Sequence, residues 1–261
     1  MILLISQYNS IHHVNKLINS LDFSKCKLVL VNQSDKEFIS PDIDVINLNK
    51  TISLSKSRNL ALDYCLNKGY LKTTDFIMFP DDDAFFCFHF WNSPELYIKK
   101  TSLFNIHDGH KKIFRNSRIS LLSYKSVMSS NMIISINDFN GFRFDENLGV
   151  GTKYGSGEDI DLYWTIGEEK FDYIKSIYLH HPLPSSDDSN LNKNLITLEK
   201  YFLGHLAVCM KHNRIFPVFI SILSPLIKII TLKNIFANFN IFKSRLKALF
   251  AFYNNNSNKF L

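Results

Sequence analysis

Three adjacent aspartates, Asp81-Asp82-Asp83, follow directly on the apolar run Phe76–Phe79 and the stiff joint Pro80. Like charges packed this closely at a strand end repel one another, and a bound cation is a natural compensation. Hard divalent ions such as Mn2+ or Mg2+ take carboxylate oxygens and still leave positions open for phosphate oxygens. The ordinary alternative is an acidic turn or helix N-terminus. A second acidic group, Glu158-Asp159-Ile160-Asp161, follows Gly155-Ser156-Gly157. Glycines let the backbone turn tightly and approach a ligand, and acids in a first helical turn are stabilised as anions by the helix dipole. A carboxylate kept ionised there can act as a general base, although acids at helix starts are also common for structural reasons. His180-His181 follows a third apolar run, and one imidazole could complete a metal shell begun by the aspartates. Alternation along the strand favours His181, since Tyr178 and His180 share a face. Ser55-Lys56-Ser57-Arg58-Asn59 places Arg58 where it can pair with a carboxylate or phosphate, against the plainer reading of a solvated helix face.

Other chemistries find less support. Gly149-Val150-Gly151 with Gly155 is not a dinucleotide fingerprint, because the third glycine comes one place late and no strand precedes it. There is no Walker A loop, and Gly155-Ser156-Gly157 is not a nucleophile elbow. The 261 residues carry a net charge of +6, but unevenly. From Glu199 onward nine bases face one acid, so the tail holds +8 and the preceding residues −2. That distribution argues against a nucleic-acid binder. Cys26, Cys65, Cys87 and Cys209 form no C-x-x-C pair, which fits reduced thiols of a cytoplasmic protein. Ile2–Ile5 has no basic residues before it and reads as a first strand rather than a signal peptide.

The elements that must position these residues form an α/β pattern. Ile2–Tyr8, Lys27–Val31, Val45–Leu48 and Phe76–Phe79 read as strands. Leu54, Ala61, Leu62, Cys65 and Leu66 recur at helical spacing across Ser53–Lys68, with Gly69 as its C-cap. Met132–Ile136 and Tyr173–Leu179 read as further strands and Asp159–Ile166 as a helix. Alternating buried strands and helices imply a partly parallel sheet. Ligands of such sheets gather at the carboxyl ends of the strands, where the turns after Tyr8, Val31 and Phe79 lie.

In order as well as in kind, these pieces resemble the family 2 glycosyltransferases, inverting enzymes of the GT-A fold. The opening strand ends in Tyr8-Asn9, like that family's P-x-Y-N. Ser57–Leu62 (S-R-N-L-A-L) is similar to A-R-N-x-G. Asp81 and Asp83 match a D-x-D signature. Phe144–Gly151 leads to Gly157–Leu162, which resembles the acceptor-side loop and the E-D catalytic motif. The resemblance covers about residues 1–185 and implies a catalytic domain over residues 1–195, with a mixed sheet flanked by helices. It implies a nucleotide-sugar donor, most often UDP-linked, held by Gln7, Tyr8, Asn9, Asn32, Ser34, Arg58, Asp81 and Asp82. It also implies Mn2+ or Mg2+ on Asp81 and Asp83, with His181 or His180 completing the shell, and Asp159 beside Glu158 as the base. The turn after the second strand departs from the family's D-D-G-S: here it is Asn32-Gln33-Ser34-Asp35, leaving Asn32 to meet a uracil edge through its amide. The Q-x-x-R-W motif of processive synthases is absent, since the only glutamines are Gln7 and Gln33, so one sugar per encounter is expected. Two rival readings are a metal-dependent nucleotidyl or phosphoryl transferase, and an inactive glycan-binding protein of the same fold.

Residues 196–261 form a basic helical tail. Ile215–Leu232 is strongly apolar but interrupted by Pro217 and Pro225, which argues against a simple span. Ile235, Phe239, Phe242, Leu246 and Leu249 recur at helical spacing among Lys243, Arg245 and Lys247, the pattern of an amphipathic helix lying on an anionic membrane. Packing on the catalytic domain, or on a partner in a homodimer, is the alternative. The expected acceptor is a glycan or lipid-linked saccharide of surface polysaccharide synthesis, met at the inner face of the plasma membrane.

Overall fold

The computed structural model describes residues 1–8, 11–97, 100–107, 127–182, 191–230 and 235–256. In chain order the elements are β1 (Ile2–Tyr8), α1 (Ile11–Asn19), β2 (Cys26–Asn32), β3 (Asp44–Asn47), α2 (Leu54–Asn67), α3 (Tyr70–Thr73), β4 (Phe76–Met78), β5 (Phe85–Phe86), α4 (Phe88–Asn92), β6 (Ser102–His107), β7 (Met132–Ser135), α5 (Ile136–Phe139), α6 (Glu158–Ile166) and β8 (Asp172–His180). The tail adds α7 (Leu191–Lys211), α8 (Ile215–Ile230) and α9 (Ile235–Asn256). The chain divides into two compact units: Met1–Phe144 with Leu162–Pro184, and Asp145–Asp161 with Ser185–Leu261.

The first unit is built on one eight-stranded mixed sheet of order β3-β2-β1-β4-β7-β6-β8-β5. The strands β3, β2, β1 and β4 run parallel. β7 runs antiparallel to both β4 and β6, while β6 and β8 are parallel. The parallel half is apolar on both faces: Leu3, Leu4, Ile5, Leu28, Val29, Leu30, Val31, Ile77 and Met78 are all fully or almost fully buried. Such continuous apolar runs are what a sheet covered by helices on both sides requires. α2 packs on β1 and β2 through Ala61, Leu62 and Cys65 and ends at Gly69, whose left-handed φ of 74° breaks the helix. The α/β class expected from the sequence, a mixed sheet flanked by helices with a helical tail, is the one the chain adopts.

β1 has β2 on one side and β4 on the other, so the order of the sheet reverses there. A crevice outside the carboxyl ends of the strands at such a switch point is where open α/β sheets bind ligands. The strand over Phe76–Phe79 ends one residue sooner, at Met78, and Phe79, fully buried, leads through Pro80 to Asp81 at that end of the sheet. Six elements, α1, α3, α4, α5, β5 and β6, were not foreseen. β5 is only two residues long, β6 (SLFNIH) lacks a clean alternation, and α1 follows β1 after only two residues.

Candidate functional site

Asp81 is the hub of the aspartate triplet. Its Oδ2 accepts hydrogen bonds from Ser130 Oγ at 2.7 Å and from His181 Nε2 at 3.0 Å. Its Oδ1 lies 3.7 Å from Arg58 Nη2. His181 Nε2 also lies 3.4 Å from Asp83 Oδ1, so one imidazole faces two carboxylates. Burial alone would raise the Asp81 pKa. The His181 hydrogen bond, with the charges of Arg58 and His181, outweighs it and holds the carboxyl below its ordinary value. For His181 burial acts the other way, favouring the neutral ring, and the bond to Asp81 with the charges of Asp81 and Asp83 outweighs that and raises its pKa. Asp82 is half-buried beside them.

Arg58 reaches this place because α2 turns its Ser55-Ser57-Arg58 face inward, where all three are buried. The guanidinium lies over the rings of Phe79 and Phe144, at 5.6 and 5.1 Å, and donates to Ser129 Oγ at 2.6 Å. A charge held in an apolar slot must be paired to persist there, and Asp81 and Ser129 share that task. Ser129 and Ser130 lie in the short turn before β7 and are almost fully buried. Sequence reasoning passed over both serines. A polar triplet, Ser129-Ser130-Asn131, running straight into an apolar strand was the available signal.

The two histidines separate as strand alternation requires. His181 meets the aspartates. His180 stacks on Phe85 with ring centroids 4.5 Å apart and packs edge-on against His107 and Tyr178. Burial and the neighbouring His107 lower its pKa.

At the ends of β1 and β2 the amides are engaged with one another. Gln33 Nε2 donates to Gln7 Oε1 at 2.6 Å, and Gln33 Oε1 accepts from the Ile52 N–H at 2.6 Å. Asn32 is held in the turn that follows β2. Its Nδ2 donates to Lys36 O and to Asn47 Oδ1, and its Oδ1 accepts from the N–H and the hydroxyl of Ser34. The residue is fully buried. Both donors of that amide and its oxygen are engaged in shaping the turn. Ser34 is tied into the same turn through Asn32 and Lys36 O. The backbone of Tyr8 closes β1 opposite Asn32, and Asn9 lies outside the described residues.

In the second unit, Glu158 and Asp159 open α6. Glu158 is 7% exposed and Asp159 half-buried. The approach to them is set by backbone contact. Gly157 has φ 101°, and a Cβ there would stand 2.8 Å from Gly204 O. A Cβ on Gly204 of α7 would in turn stand 2.3 Å from Ser156 O. Only glycine at both positions lets loop and helix touch this closely. Ser156 Oγ adds a bond to Tyr201 O at 3.1 Å. Asp161, one turn into the helix and 1% exposed, is clamped by Lys211 Nζ and His212 Nε2, each at 2.8 Å. Lys211 also reaches Asp145 at 3.4 Å. Nothing in the sequence pattern singled out Lys211 or His212, which stand 50 and 51 residues from Asp161.

Two carboxylates and an imidazole offer hard oxygens with one borderline nitrogen, a donor chemistry that suits Mn2+ or Mg2+. Their spacing here is that of an ion-paired set. Among the described residues no group of three or more His, Cys, Asp and Glu side chains is arranged to hold a metal ion.

No family model matches the chain, and no curated protein matches it. Among solved structures, the mannosyltransferase PcManGT from Pyrobaculum calidifontis, in complex with GDP-Man and Mn2+, aligns with 96% of this chain and 74% of its own, at 10% identity and a TM-score of 0.47. A197 from STIV aligns with 70% of this chain and 86% of its own, at 14% identity and a TM-score of 0.40. Neither likeness is close enough to carry an activity to this chain.

Proposed function

We propose that the chain is an inverting glycosyltransferase of the family 2 type, moving one sugar from a nucleotide diphosphate sugar, UDP-linked, to a hydroxyl of a glycan or lipid-linked saccharide at the inner face of the plasma membrane. The observation that carries this reading is the convergence of Asp81, Asp83, His181 and Arg58 at the end of β4, beside the switch point of the sheet. Asp81, Asp83 and His181 are the residues that would hold Mn2+ or Mg2+. The ion, when bound, supplies positive charge against the departing diphosphate. Arg58 is held in a fixed orientation by Ser129 and two aromatic faces, and it orients the sugar–phosphate portion of the donor from one side of Asp81. Asp82 contacts the donor beside it, and Gln7 lines the carboxyl end of β1 where the nucleotide enters.

Asp159 takes the proton from the acceptor hydroxyl. The hydroxyl oxygen then bonds to the anomeric carbon as the carbon–oxygen bond to the diphosphate breaks, and the diphosphate leaves with that electron pair. Attack from the opposite face inverts the centre and needs no enzyme nucleophile. Glu158, buried at the start of the same helix, positions the base. Most of the rate enhancement comes from positioning and charge placement.

The first test is calorimetric titration of UDP, then GDP, CMP and dTDP, with and without Mn2+, on the wild type and on Asp83→Ala. Metal-dependent binding lost in the variant is expected. Nucleotide turnover that releases phosphate or pyrophosphate with no sugar moved would overturn the reading in favour of a phosphoryl or nucleotidyl transferase.

A further inference from the structure

α8 is apolar all round, and its two faces have different fates. Val218, Ser221, Ile222 and Pro225 are buried. At about 100° per residue they occupy one side of the helix. Ile215, Phe216, Phe219, Leu223 and Ile227 are 55, 58, 58, 48 and 60% exposed, and on the same geometry they fall within an arc of about 120° on the other side. Five large apolar side chains lined up along four turns are not the scattered exposure of an ordinary surface. The tail that bears them holds nine bases and one acid from Glu199 onward. Of these bases, Lys243 and Lys247 are exposed on α9, which packs on α8.

The sequence-based expectation put the apolar face on α9. There Phe242, Leu246 and Leu249 are half-buried, while Ile235, Phe239, Phe250 and Tyr253 are exposed, at 50, 46, 65 and 67%. α9 therefore buries part of its apolar repeat within its own unit, and α8 carries five exposed large apolar side chains to the four of α9.

From the stripe and the surrounding charge we infer that the outer face of α8 is a docking surface for an anionic lipid bilayer, lying in the membrane plane with Phe216, Phe219 and Leu223 at its centre. A helix of 16 residues is about 24 Å long, shorter than the roughly 30 Å hydrocarbon core. No helix among the described residues is long and apolar enough to cross a membrane. An apolar face of this kind sinks to the headgroup–acyl boundary, and flanking lysines gain from anionic headgroups. A second copy of the chain fits less well, because pairing the face with itself would set one basic tail against another. The inference stands apart from the catalytic reading, since vesicle binding is measured without nucleotide.

The test is co-flotation of the full chain with vesicles of phosphatidylcholine alone, or with about one third phosphatidylglycerol. Wild type should float with the anionic vesicles. Phe219→Asp with Leu223→Asp should cut the bound fraction at least about tenfold with an unchanged melting temperature. If that variant fails to fold, Phe216→Ser with Phe219→Ser serves in its place. Absence of wild-type binding to anionic vesicles would overturn the inference, as would equal binding to both compositions. So would a wild-type dimer that the variant converts to monomer with vesicle binding unaltered.

Discussion

Two acidic clusters are held in this chain by opposite means. At the end of β4, carboxylates are kept close by side-chain partners: the Arg58 guanidinium and the His181 imidazole stand against Asp81, and His181 also faces Asp83. At the start of α6 the backbone does the positioning, through glycines that let a loop touch α7. The one fully buried carboxylate there, Asp161, is clamped by Lys211 and His212, while its neighbour Asp159 is left half-buried. A cluster held by charge can rearrange when a stronger cation arrives. A cluster held by backbone packing cannot, and it offers a fixed carboxylate to a proton. The first arrangement suits a donor site, the second a base.

Substitutions can break this contrast. The largest effect should come from Asp159→Asn, which removes the proposed base while keeping the shape of the side chain. Sugar transfer should fall about 10³-fold, roughly 4 kcal/mol of barrier, with the melting temperature unchanged. Initial rates alongside thermal melts decide it, and a variant that melts early yet transfers sugar normally would make Asp159 structural. Next comes Gly204→Ala, whose Cβ meets a backbone oxygen that cannot move aside. It should destabilise the second unit by about 3 kcal/mol, seen as a lower urea midpoint. Full tolerance would mean that the loop is not fixed by this contact. Asp161→Ala should cost about 2 kcal/mol, because it removes both clamped partners while leaving Lys211 free to turn to Asp145. Hydrogen exchange at the first amides of α6 should rise with it, and unchanged protection would remove the clamp from the account.

The smallest effect tests charge at the opposite margin of the sheet. Burial would raise the Asp44 pKa, but hydrogen bonds from Tyr70 and Tyr64 and the charge of Lys27 hold it below its ordinary value. For a depressed carboxyl, the contribution to stability is present above the unfolded value of 3.8 and is lost as pH falls through the folded pKa. Asp44→Asn should therefore lower the melting temperature by about 3 °C at pH 7, about 1 kcal/mol. The gap from wild type should narrow below about pH 4. A gap that stays constant with pH would assign the effect to shape rather than charge.

Much of the first unit was visible in the sequence, because its strands are continuous apolar runs ending in polar turns. Those runs located β1, β2, β4 and β8 and pointed to Asp81–Asp83 and the histidine pair as chemistry at strand ends. The partners that organise the site were harder to see. Ser129 meets Arg58 across 71 positions, and Lys211 meets Asp161 across 50, distances that no local pattern encodes. Asn32 shows a different limit. Its residue type and its place at a strand end suited ligand recognition, but the turn engages both its amide donors and its carbonyl oxygen. Residue type names a capacity, and only the packed neighbours show whether it is still available.

The bond between His181 and Asp81 joins positions 100 residues apart, and this has a meaning in time. At roughly 5–20 residues per second, a ribosome needs about 5–20 s to proceed from one to the other. Through that interval the triplet Asp81–Asp83 has left the synthesis centre with Arg58 already made, but without the imidazole that later faces two of its carboxylates. A nascent chain halted after Asp83 but before His181 carries most of the parallel sheet and an acidic cluster short of one imidazole. The finished ion-paired set thus belongs only to the full-length first unit, and its formation marks one of the last steps by which that unit closes.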